Sequence, residues 1–404
     1  KASHSCFTGT TTHSLATSGY PQGFMRYLSP LLLITSLLLT DCGGGGGGNS
    51  SSSPKTAVSS ASINSQPVAI GSCSTVEQGN QSPGFVGQLN ASDYETPSML
   101  TYSLLNPDGS DAGMTLTTAR GGTVTITDPT TGLFTYQADT RPGDKRGRDT
   151  FEFQVRDPEN AITRATETVI INQTIMLLGD SITLGSDCTG GNLANGLCIA
   201  DGFAADEEKI GYRLPLYESL TGSGYGFDFV GSLQAGSLAS SPLDDDDHQG
   251  HAGWSAFDIA WGQEMDGSDG VFAWLEQNPA DFILLHIGTN DLVNTNEYNV
   301  AEILDEIDRW EESANGNPVT VILALIIDRS PNDPLVDAFN KAVRKMVISR
   351  TNDNIFLVNQ QKNAGIDYTI GADMSDWLHP NASGYRKMAE LWFNRLAPLL
   401  DKCP

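Results

Sequence analysis

The sequence predicts a doubly wound α/β domain around a parallel five-stranded sheet, with a separate all-β sandwich domain before it. Short apolar runs alternate with helical patterns from residue 173 to residue 404. Runs rich in Thr, Val, Tyr and Phe alternate with turn residues between 66 and 172. The chain of 404 residues is also too long for one domain, because single hydrophobic cores stop growing at about 250–300 residues.

The charge balance excludes one class of partner. The chain carries 23 Lys and Arg against 49 Asp and Glu, which gives a net charge of −26. Such a surface repels phosphate backbones, so no nucleic acid is expected to bind. Anionic membranes and acidic polysaccharides are poor partners for the same reason.

The first 65 residues are expected to lie outside the two folded domains. Residues 1–24 are rich in Ser, Thr and Gly and are interpreted as an upstream or non-native segment. The apolar run YLSPLLLITSLLLT follows Met25 and is shorter than the ~20 residues that span a bilayer. It fits the apolar core of a secretory signal over 25–41. A Gly/Ser-rich linker over 42–65 follows, opening with Cys42 and six glycines.

The segment around Cys42 resembles a bacterial lipoprotein signal, in which the cysteine carries a lipid. The resemblance implies an exported protein held at the outer membrane or cell surface through Cys42, with no other membrane attachment. Plain secretion is the alternative, with Cys42 buried or paired. Export permits disulfides, and Cys188 and Cys198, in a Gly/Asn-rich segment, are candidates for a local one.

The region 66–172 has the texture of a β-sandwich. The string TFEFQV at 150–155 alternates polar and apolar residues, as expected for a strand that buries one face. Strands at this close spacing, with no helical stretch between them, favour a sandwich. The elements also resemble those of bacterial immunoglobulin-like or cadherin-like modules, which implies a spacer or a binding module.

The region 173–404 alternates buried strands with amphipathic helices. The run VILALII at 321–327 is apolar throughout, as expected for a parallel strand covered on both faces. The segments 300–310 and 385–396 repeat apolar residues at helical spacing. Functional groups of a doubly wound sheet gather at the carboxyl ends of its strands, so a functional site is expected there.

Three short polar segments follow predicted strands. Ser181, in the string GDSIT, precedes a helix at a place where a hydroxyl lies near backbone N–H groups, although a plain helix cap is the alternative. Asn290, in GTND, is able to donate its amide to an oxyanion or to serve only as a turn residue. Asp376 and His379, in DWLHP, are close enough for the carboxylate to fix the imidazole tautomer.

Together these segments resemble the nucleophile, Asn and Asp/His blocks of the SGNH (GDSL) hydrolase superfamily, over about 174–400. The string DHQGHAGWS resembles its glycine block. The longer strings FDFVGS, DHQGHAGW, LLHIGTND and DWLHPNASGY are similar to those of carbohydrate esterase family 3, which includes acetylxylan esterases. The resemblance implies a flavodoxin-like SGNH fold and a serine esterase for short-chain acyl esters, with acetyl groups on polysaccharide as the leading substrate.

The resemblance implies a role for each matched residue. Ser181 is the nucleophile, His379 the general base and Asp376 the residue that orients it. The N–H groups of Ser181 and Gly253 and the side-chain amide of Asn290 form the oxyanion hole. No cofactor and no metal are expected, because the sequence contains no zinc or nucleotide motif.

Three further residues flank these blocks. Trp254 and Trp377 are candidates for stacking on a sugar ring or lining an acyl pocket, with core packing as the alternative. His251 is interpreted as structural or substrate-facing, because it lacks a carboxylate at the spacing that relates Asp376 to His379. The acidic run at 244–247 is interpreted as a solvated loop, with a cation site as the alternative.

The sequence is compatible with two other functions. One is a general short-chain or aryl esterase, or a lipase-like hydrolase. The other is a surface lipoprotein that binds glycan without catalysis, against which the intact Ser181, His379 and Asp376 argue. The expected partner is therefore an acylated carbohydrate or another small ester.

Overall fold

Strands dominate the first half of the folded chain, and strands alternate with helices in the second half. In this computed structural model the described residues are 64–77, 84–139, 146–189, 193–199, 202–239, 241–263, 267–292 and 297–404. The predicted signal, Cys42 and nearly all of the predicted linker lie outside these residues. The chain from Ser62 to Pro404 clusters as one compact unit. Among the described helices, none has the length and apolar character that a membrane span requires.

The β-rich part of the chain forms two main sheets. Its strands are β1 (Val68–Ile70), β2 (Cys73–Val76), β3 (Phe85–Gln88), β4 (Asn90–Ser92), β5 (Thr101–Leu105), β6 (Asp111–Gly113), β7 (Thr115–Thr117), β8 (Thr123–Asp128), β9 (Leu133–Gln137), β10 (Gly147–Arg156) and β11 (Ile162–Ile171). One sheet has the order β2-β11-β10-β5-β6 and the other β3-β9-β8-β7, while β1 pairs with β4.

Side chains of both sheets share one core. In β10 the apolar residues Phe151, Phe153 and Val155 are buried, whereas Thr150 and Glu152, on either side of Phe151, are exposed. Residues of β8 and β9 join the same cluster. Full burial of each such side chain contributes about 1.5–3 kcal/mol, so the two-residue period found in the sequence is what holds the sheets together. The prediction of an all-β region before the α/β domain is confirmed.

The α/β part contains the remaining elements. Its strands are β12 (Gln173–Gly179), β13 (Leu193–Ala194), β14 (Leu197–Cys198), β15 (Phe227–Val230), β16 (Leu233–Gln234), β17 (Asp247–Gly250), β18 (Phe282–His286), β19 (Thr320–Leu325) and β20 (Ile355–Asn359). Its helices are α1 (Ser181–Leu184), α2 (Arg213–Gly222), α3 (Ala256–Trp261), α4 (Val271–Gln277), α5 (Glu297–Glu311), α6 (Pro334–Ser349), α7 (Gln360–Asn363) and α8 (Ala382–Leu396).

Five parallel strands form the centre of this sheet, in the order β15, β12, β18, β19 and β20. Every residue of β18 is buried. One apolar core, on one face, contains side chains of α3, α4, α5 and α6, and a second core contains those of α2 and α8. The predicted doubly wound five-stranded sheet is confirmed. Two short strands extend it, because β17 pairs with the end of β12 on the β15 side and β16 pairs antiparallel with β17.

Covalent and ionic contacts join the β-rich part to the α/β part. Cys73 in β2 forms a disulfide with Cys403, across 330 residues of sequence. Removing a native disulfide typically costs about 2–5 kcal/mol of stability. The Arg146 guanidinium lies 2.8 Å from the Asp281 carboxylate, and both side chains are largely buried. The two parts therefore have separate cores and are joined by a disulfide and an ion pair.

The acidic run at 244–247 is less solvated than the predicted solvated loop. Asp244 is exposed, but Asp245 is half-buried, and its Oδ2 accepts the N–H of Phe229 at 2.7 Å. Burial, together with the nearby carboxylates, raises the pKa of Asp245 to about 7. Among the described residues, no three or more His, Cys, Asp and Glu side chains are grouped so as to hold a metal ion.

The raised pKa of Asp245 predicts a pH-dependent effect of Asp245→Asn. Because the pKa is higher in the folded state than the ordinary 3.8, folding favours the protonated acid, and stability falls as pH rises from about 4 to about 7. The asparagine amide oxygen still accepts from Phe229 and carries no charge. We expect Tm to rise by about 2–4 °C at pH 8 and by less at pH 5, measured by thermal unfolding. Exposed Asp244→Asn is the control, and an equal gain in both variants at both pH values contradicts the prediction.

Candidate active site

Three strand ends bring the predicted motifs to one edge of the α/β sheet. Gly179, the last residue of β12, lies in register between Gly250 of β17 and His286 of β18. The segments that follow these residues therefore leave the sheet side by side. Glycine is required at Gly250, since a Cβ there would collide with the backbone of Leu184 in α1.

Ser181 is the first residue of the one-turn helix α1. The Asp180 carboxylate caps this helix, because its Oδ1 accepts the N–H of Ile182 at 2.9 Å. The helix ends at Gly185, whose φ of 92° lies in the left-handed region. Burial raises the pKa of Asp180 to about 6. The cap therefore fixes the turn through Asp180 and leaves the Ser181 hydroxyl available for other contacts.

A hydrogen-bonded series joins Ser181, His379 and Asp376. The Ser181 Oγ lies 3.0 Å from His379 Nε2, and His379 Nδ1 lies 3.0 Å from Asp376 Oδ2. The three residues are 8%, 4% and 0% exposed in that order. Phe203 packs edge-on against the imidazole, with ring centroids 5.3 Å apart. When Nδ1 carries the imidazole proton and donates to Asp376, Nε2 is able to accept the serine proton.

The Asp376 carboxylate is held by four donors. Its Oδ1 accepts the N–H groups of Leu378 at 2.7 Å and His379 at 2.6 Å. Its Oδ2 accepts the N–H of Cys198 at 3.0 Å as well as His379 Nδ1. Burial by itself raises the pKa of Asp376, but the bonds from His379 and Cys198 outweigh it and hold the pKa below 3.8. The group therefore remains an ionised acceptor inside the protein.

Gly253 and Asn290 lie at the same sheet edge, on two neighbouring segments. Asn290 donates from Nδ2 to the carbonyl oxygen of Trp254, the residue after Gly253, at 2.7 Å. Gly253 has a φ of 80°, which favours glycine, and both residues are exposed. The Asp291 carboxylate accepts the N–H of Ala256 at 3.0 Å. These contacts tie the glycine segment to the end of β18 and leave Asn290 a second amide hydrogen to donate.

His251, Trp254 and Trp377 lie around this edge. The His251 ring stacks on Trp254 with centroids 4.1 Å apart and on Trp274 with centroids 4.7 Å apart. Its Nε2 lies 3.0 Å from the side-chain amide of Gln249, so its contacts are those of a packed ring. Trp254 and Trp377 are both half-buried and expose part of their rings.

Two cavities flank α1. A cavity of about 230 Å³ adjoins the glycine segment and is lined in part by Leu184, Gly250 and Trp254. A larger cavity of about 520 Å³ lies beyond the end of α1, between residues such as Gly185 and Tyr385. The smaller cavity is lined by Ala252 and Trp254, the sequence neighbours of Gly253, and its volume lies below the about 300–1,000 Å³ that is usual for ligand sites.

Sequence reasoning missed two neighbours of the His379–Asp376 pair. One is the N–H of Cys198, which reaches Asp376 from a hairpin closed by a Cys188–Cys198 disulfide. The pair Asn-Gly at 195–196 is a strong signal for such a hairpin and was available in the sequence. The other neighbour is Phe203, for which the sequence contains no comparable signal.

The fold and the site together define a class of protein. A serine hydroxyl, an imidazole and a buried carboxylate in one hydrogen-bonded series, at the carboxyl edge of a doubly wound sheet, is the arrangement of α/β ester hydrolases. The chain belongs to the GDSL-like lipase/acylhydrolase family, whose model matches residues 175–392, more than half of the chain. The predicted superfamily and the prediction of an ester hydrolase are thereby confirmed.

Known esterases are similar to part of this chain. A multidomain esterase from Ruminococcus flavefaciens is 29% identical over 251 residues, which cover 55% of this chain and 28% of the relative. The chain thus matches little more than a quarter of that protein's length. A carbohydrate esterase family 3 structure from Talaromyces cellulolyticus is 26% identical with a TM-score of 0.44, over 56% of this chain and 97% of that one. A family 3 carbohydrate esterase from Clostridium thermocellum is 27% identical with a TM-score of 0.41, over 56% and 96%.

Proposed function

We propose that this chain is a serine esterase that removes short acyl groups, acetyl above all, from polysaccharide. The observation that carries the proposal is the continuous series from Ser181 through His379 to Asp376, with 3.0 Å at each step. Nucleophilic catalysis requires a hydroxyl in contact with a base that a third group orients. These three side chains meet that requirement and supply the nucleophile of the esterase domain.

Acylation begins when Ser181 Oγ attacks the ester carbonyl carbon while His379 Nε2 takes the hydroxyl proton. Asp376 stabilises the imidazolium that forms, because its carboxylate lies beside Nδ1. The tetrahedral intermediate then expels the sugar hydroxyl, which receives the proton from Nε2, and the acyl group stays on Ser181. Water attacks the acyl-enzyme in the same way, with His379 again as base, and the acid leaves.

Negative charge on the former carbonyl oxygen needs donors on the sheet edge. We assign them as the N–H groups of Ser181 and Gly253 and the amide of Asn290. The bond from Asn290 to Trp254 fixes the amide while leaving one hydrogen to donate. Each such donor is worth about 2.7–4 kcal/mol in the barrier, since it is in place before the charge develops.

Three features support an acetylated glycan as the substrate. The cavity of about 230 Å³ beside the glycine segment suits a small acyl group. The half-buried rings of Trp254 and Trp377 offer apolar faces of the kind on which sugars stack, and the net charge of −26 suits a neutral substrate. The family 3 strings around Gly253 and Asp376 agree with this assignment.

Export is part of the proposal. Two disulfides, Cys73–Cys403 and Cys188–Cys198, support an oxidising compartment. We propose that the chain is exported, with Cys42 as its lipid anchor, or is otherwise secreted. The β-rich part then serves as a spacer or as a glycan-binding module of the immunoglobulin-like or cadherin-like kind.

A substrate panel tests the proposed function. We expect acetate release from acetylated xylan, and hydrolysis of p-nitrophenyl esters whose kcat/KM falls steadily from acetyl to octanoyl, because the cavity is small. Acetate and p-nitrophenol are measured directly, with Ser181→Ala as the blank. Highest activity on the octanoyl ester contradicts the proposal and favours a lipase-like hydrolase. Activity on synthetic acetate esters alone favours a general short-chain esterase.

A further inference from the structure

A small disulfide-closed hairpin lies against the segment that carries Asp376 and His379. The hairpin consists of β13 and β14, with two residue pairs, and Asn195 and Gly196 at its turn have φ values of 53° and 82°. Positive φ at both central residues is the type I′ turn that matches strand twist. Cys198 at the end of β14 is cross-linked to Cys188, and both side chains are buried.

Three hydrogen bonds with backbone N–H donors connect the hairpin and Cys188 to residues 375–379, called here the acid–base turn. The N–H of Cys188 donates to Ser375 Oγ at 3.1 Å, and the N–H of Cys198 donates to Asp376 Oδ2 at 3.0 Å. In the opposite direction, the N–H of Trp377 donates to the carbonyl of Gly196 at 2.8 Å. The two half-cystines therefore each bond one residue of the acid–base turn.

We propose that the Cys188–Cys198 disulfide is a positioning device for catalysis, which holds the Cys198 N–H against Asp376 and so orients the carboxylate toward His379. This inference rests on the proposed function of the site. Asp376 Oδ2 accepts both Cys198 N and His379 Nδ1, so the donor from the hairpin restrains the same oxygen that bonds the imidazole.

The hairpin needs the cross-link to hold this position. A ladder of two residue pairs is far below the size at which an isolated hairpin is stable in water. The disulfide closes a loop of ten residues, which limits how far Cys198 moves from Cys188. Without it, we expect the Cys198 N–H to sample positions away from Asp376, and the carboxylate loses one of its four donors.

The test replaces each disulfide in turn and measures kcat per active site. Cys188→Ser/Cys198→Ser is expected to lower kcat per labelled site about tenfold, the typical worth of a hydrogen bond to a charged group, with KM little changed. Active sites are counted by complete reaction with a fluorophosphonate. The control Cys73→Ser/Cys403→Ser removes the disulfide that joins β2 to residue 403, and it is expected to lower Tm while kcat per labelled site stays at the wild-type value.

Counting sites separates positioning from stability. A disulfide that only stabilises the fold lowers Tm and the number of labelled sites, but leaves kcat per site unchanged. If the double variant does not fold, the test uses the folded Cys73→Ser/Cys403→Ser protein before and after reduction with dithiothreitol, and opening Cys188–Cys198 is expected to lower kcat per labelled site by the same tenfold. Wild-type kcat per site in the folded variants overturns the proposal, whereas wild-type protein that takes no label overturns the serine esterase assignment instead.

Discussion

Replacing Ser181 with alanine is expected to lower kcat/KM for p-nitrophenyl acetate by about 10⁵-fold or more, the scale at which serine hydrolases depend on their nucleophile. The substitution leaves His379 Nε2 with no hydroxyl to deprotonate. The fold should persist, because the cap of α1 uses the Asp180 carboxylate and the Ile182 N–H and not the Ser181 hydroxyl. Initial rates and thermal unfolding of the same preparation check both parts of the prediction.

A second serine on a helix provides the matched control. Ser219 in α2 is exposed, and its Oγ donates to the carbonyl of Pro215 at 2.7 Å, far from the acid–base turn in sequence. Ser219→Ala should retain wild-type turnover and fluorophosphonate labelling, and Ser181→Ala should lose both. Wild-type turnover by pure Ser181→Ala would remove the nucleophile assignment. A wild-type protein that is inert toward label and esters would favour the alternative of a non-catalytic surface lipoprotein.

The meeting of two of the three motifs, GDSIT and GTND, could be predicted because parallel strands impose it. Both motifs follow apolar strands, and parallel strands end at a common edge, so the two were expected to lie close together. In the structure Gly179, which ends β12, pairs with His286, which ends β18, so the two motifs leave neighbouring strands at the same level. The expectation that DWLHP also follows a strand was wrong, because that segment lies in the loop between α7 and α8. The placement of Asp376 and His379 depends on the loop before α8, and there the family resemblance supplied what strand order could not.

Contacts made by loops and by polar strands could not be predicted from the sequence. The string DHQG in β17 has no apolar residue, yet three of its four residues are buried. Hydrogen bonds such as that from the Gln249 amide to Ser232 Oγ compensate for the loss of water, and hydropathy does not detect them. The Cys73–Cys403 disulfide joins residues 330 apart in sequence, which come together when both parts of the chain have folded. Hydropathy and residue spacing detect patterns that repeat along the chain, and single contacts of this kind produce no such pattern.

Asp376→Asn is expected to lower kcat by about 10⁴-fold, as loss of the orienting carboxylate does in serine proteases. All four donors around Asp376 require an acceptor, and asparagine offers one on only one side. If its NH₂ takes the Oδ1 position, it opposes the N–H groups of Leu378 and His379. If it takes the Oδ2 position, it opposes the N–H of Cys198 and donates to His379 Nδ1.

The second orientation opposes one backbone donor instead of two, so we expect it to prevail. The imidazole must then carry its proton on Nε2, where it no longer accepts from Ser181, and the loss falls on kcat because the wrong tautomer persists in the substrate complex. Asp373→Asn is the matched control. Its carboxylate is also buried and accepts from Asp367 N and Ser383 Oγ at 2.7 Å each, but it does not touch His379, so that variant should lose Tm and keep kcat per labelled site. Equal losses of kcat per site in the two variants would mean that Asp376 supports the turn and does not set the tautomer.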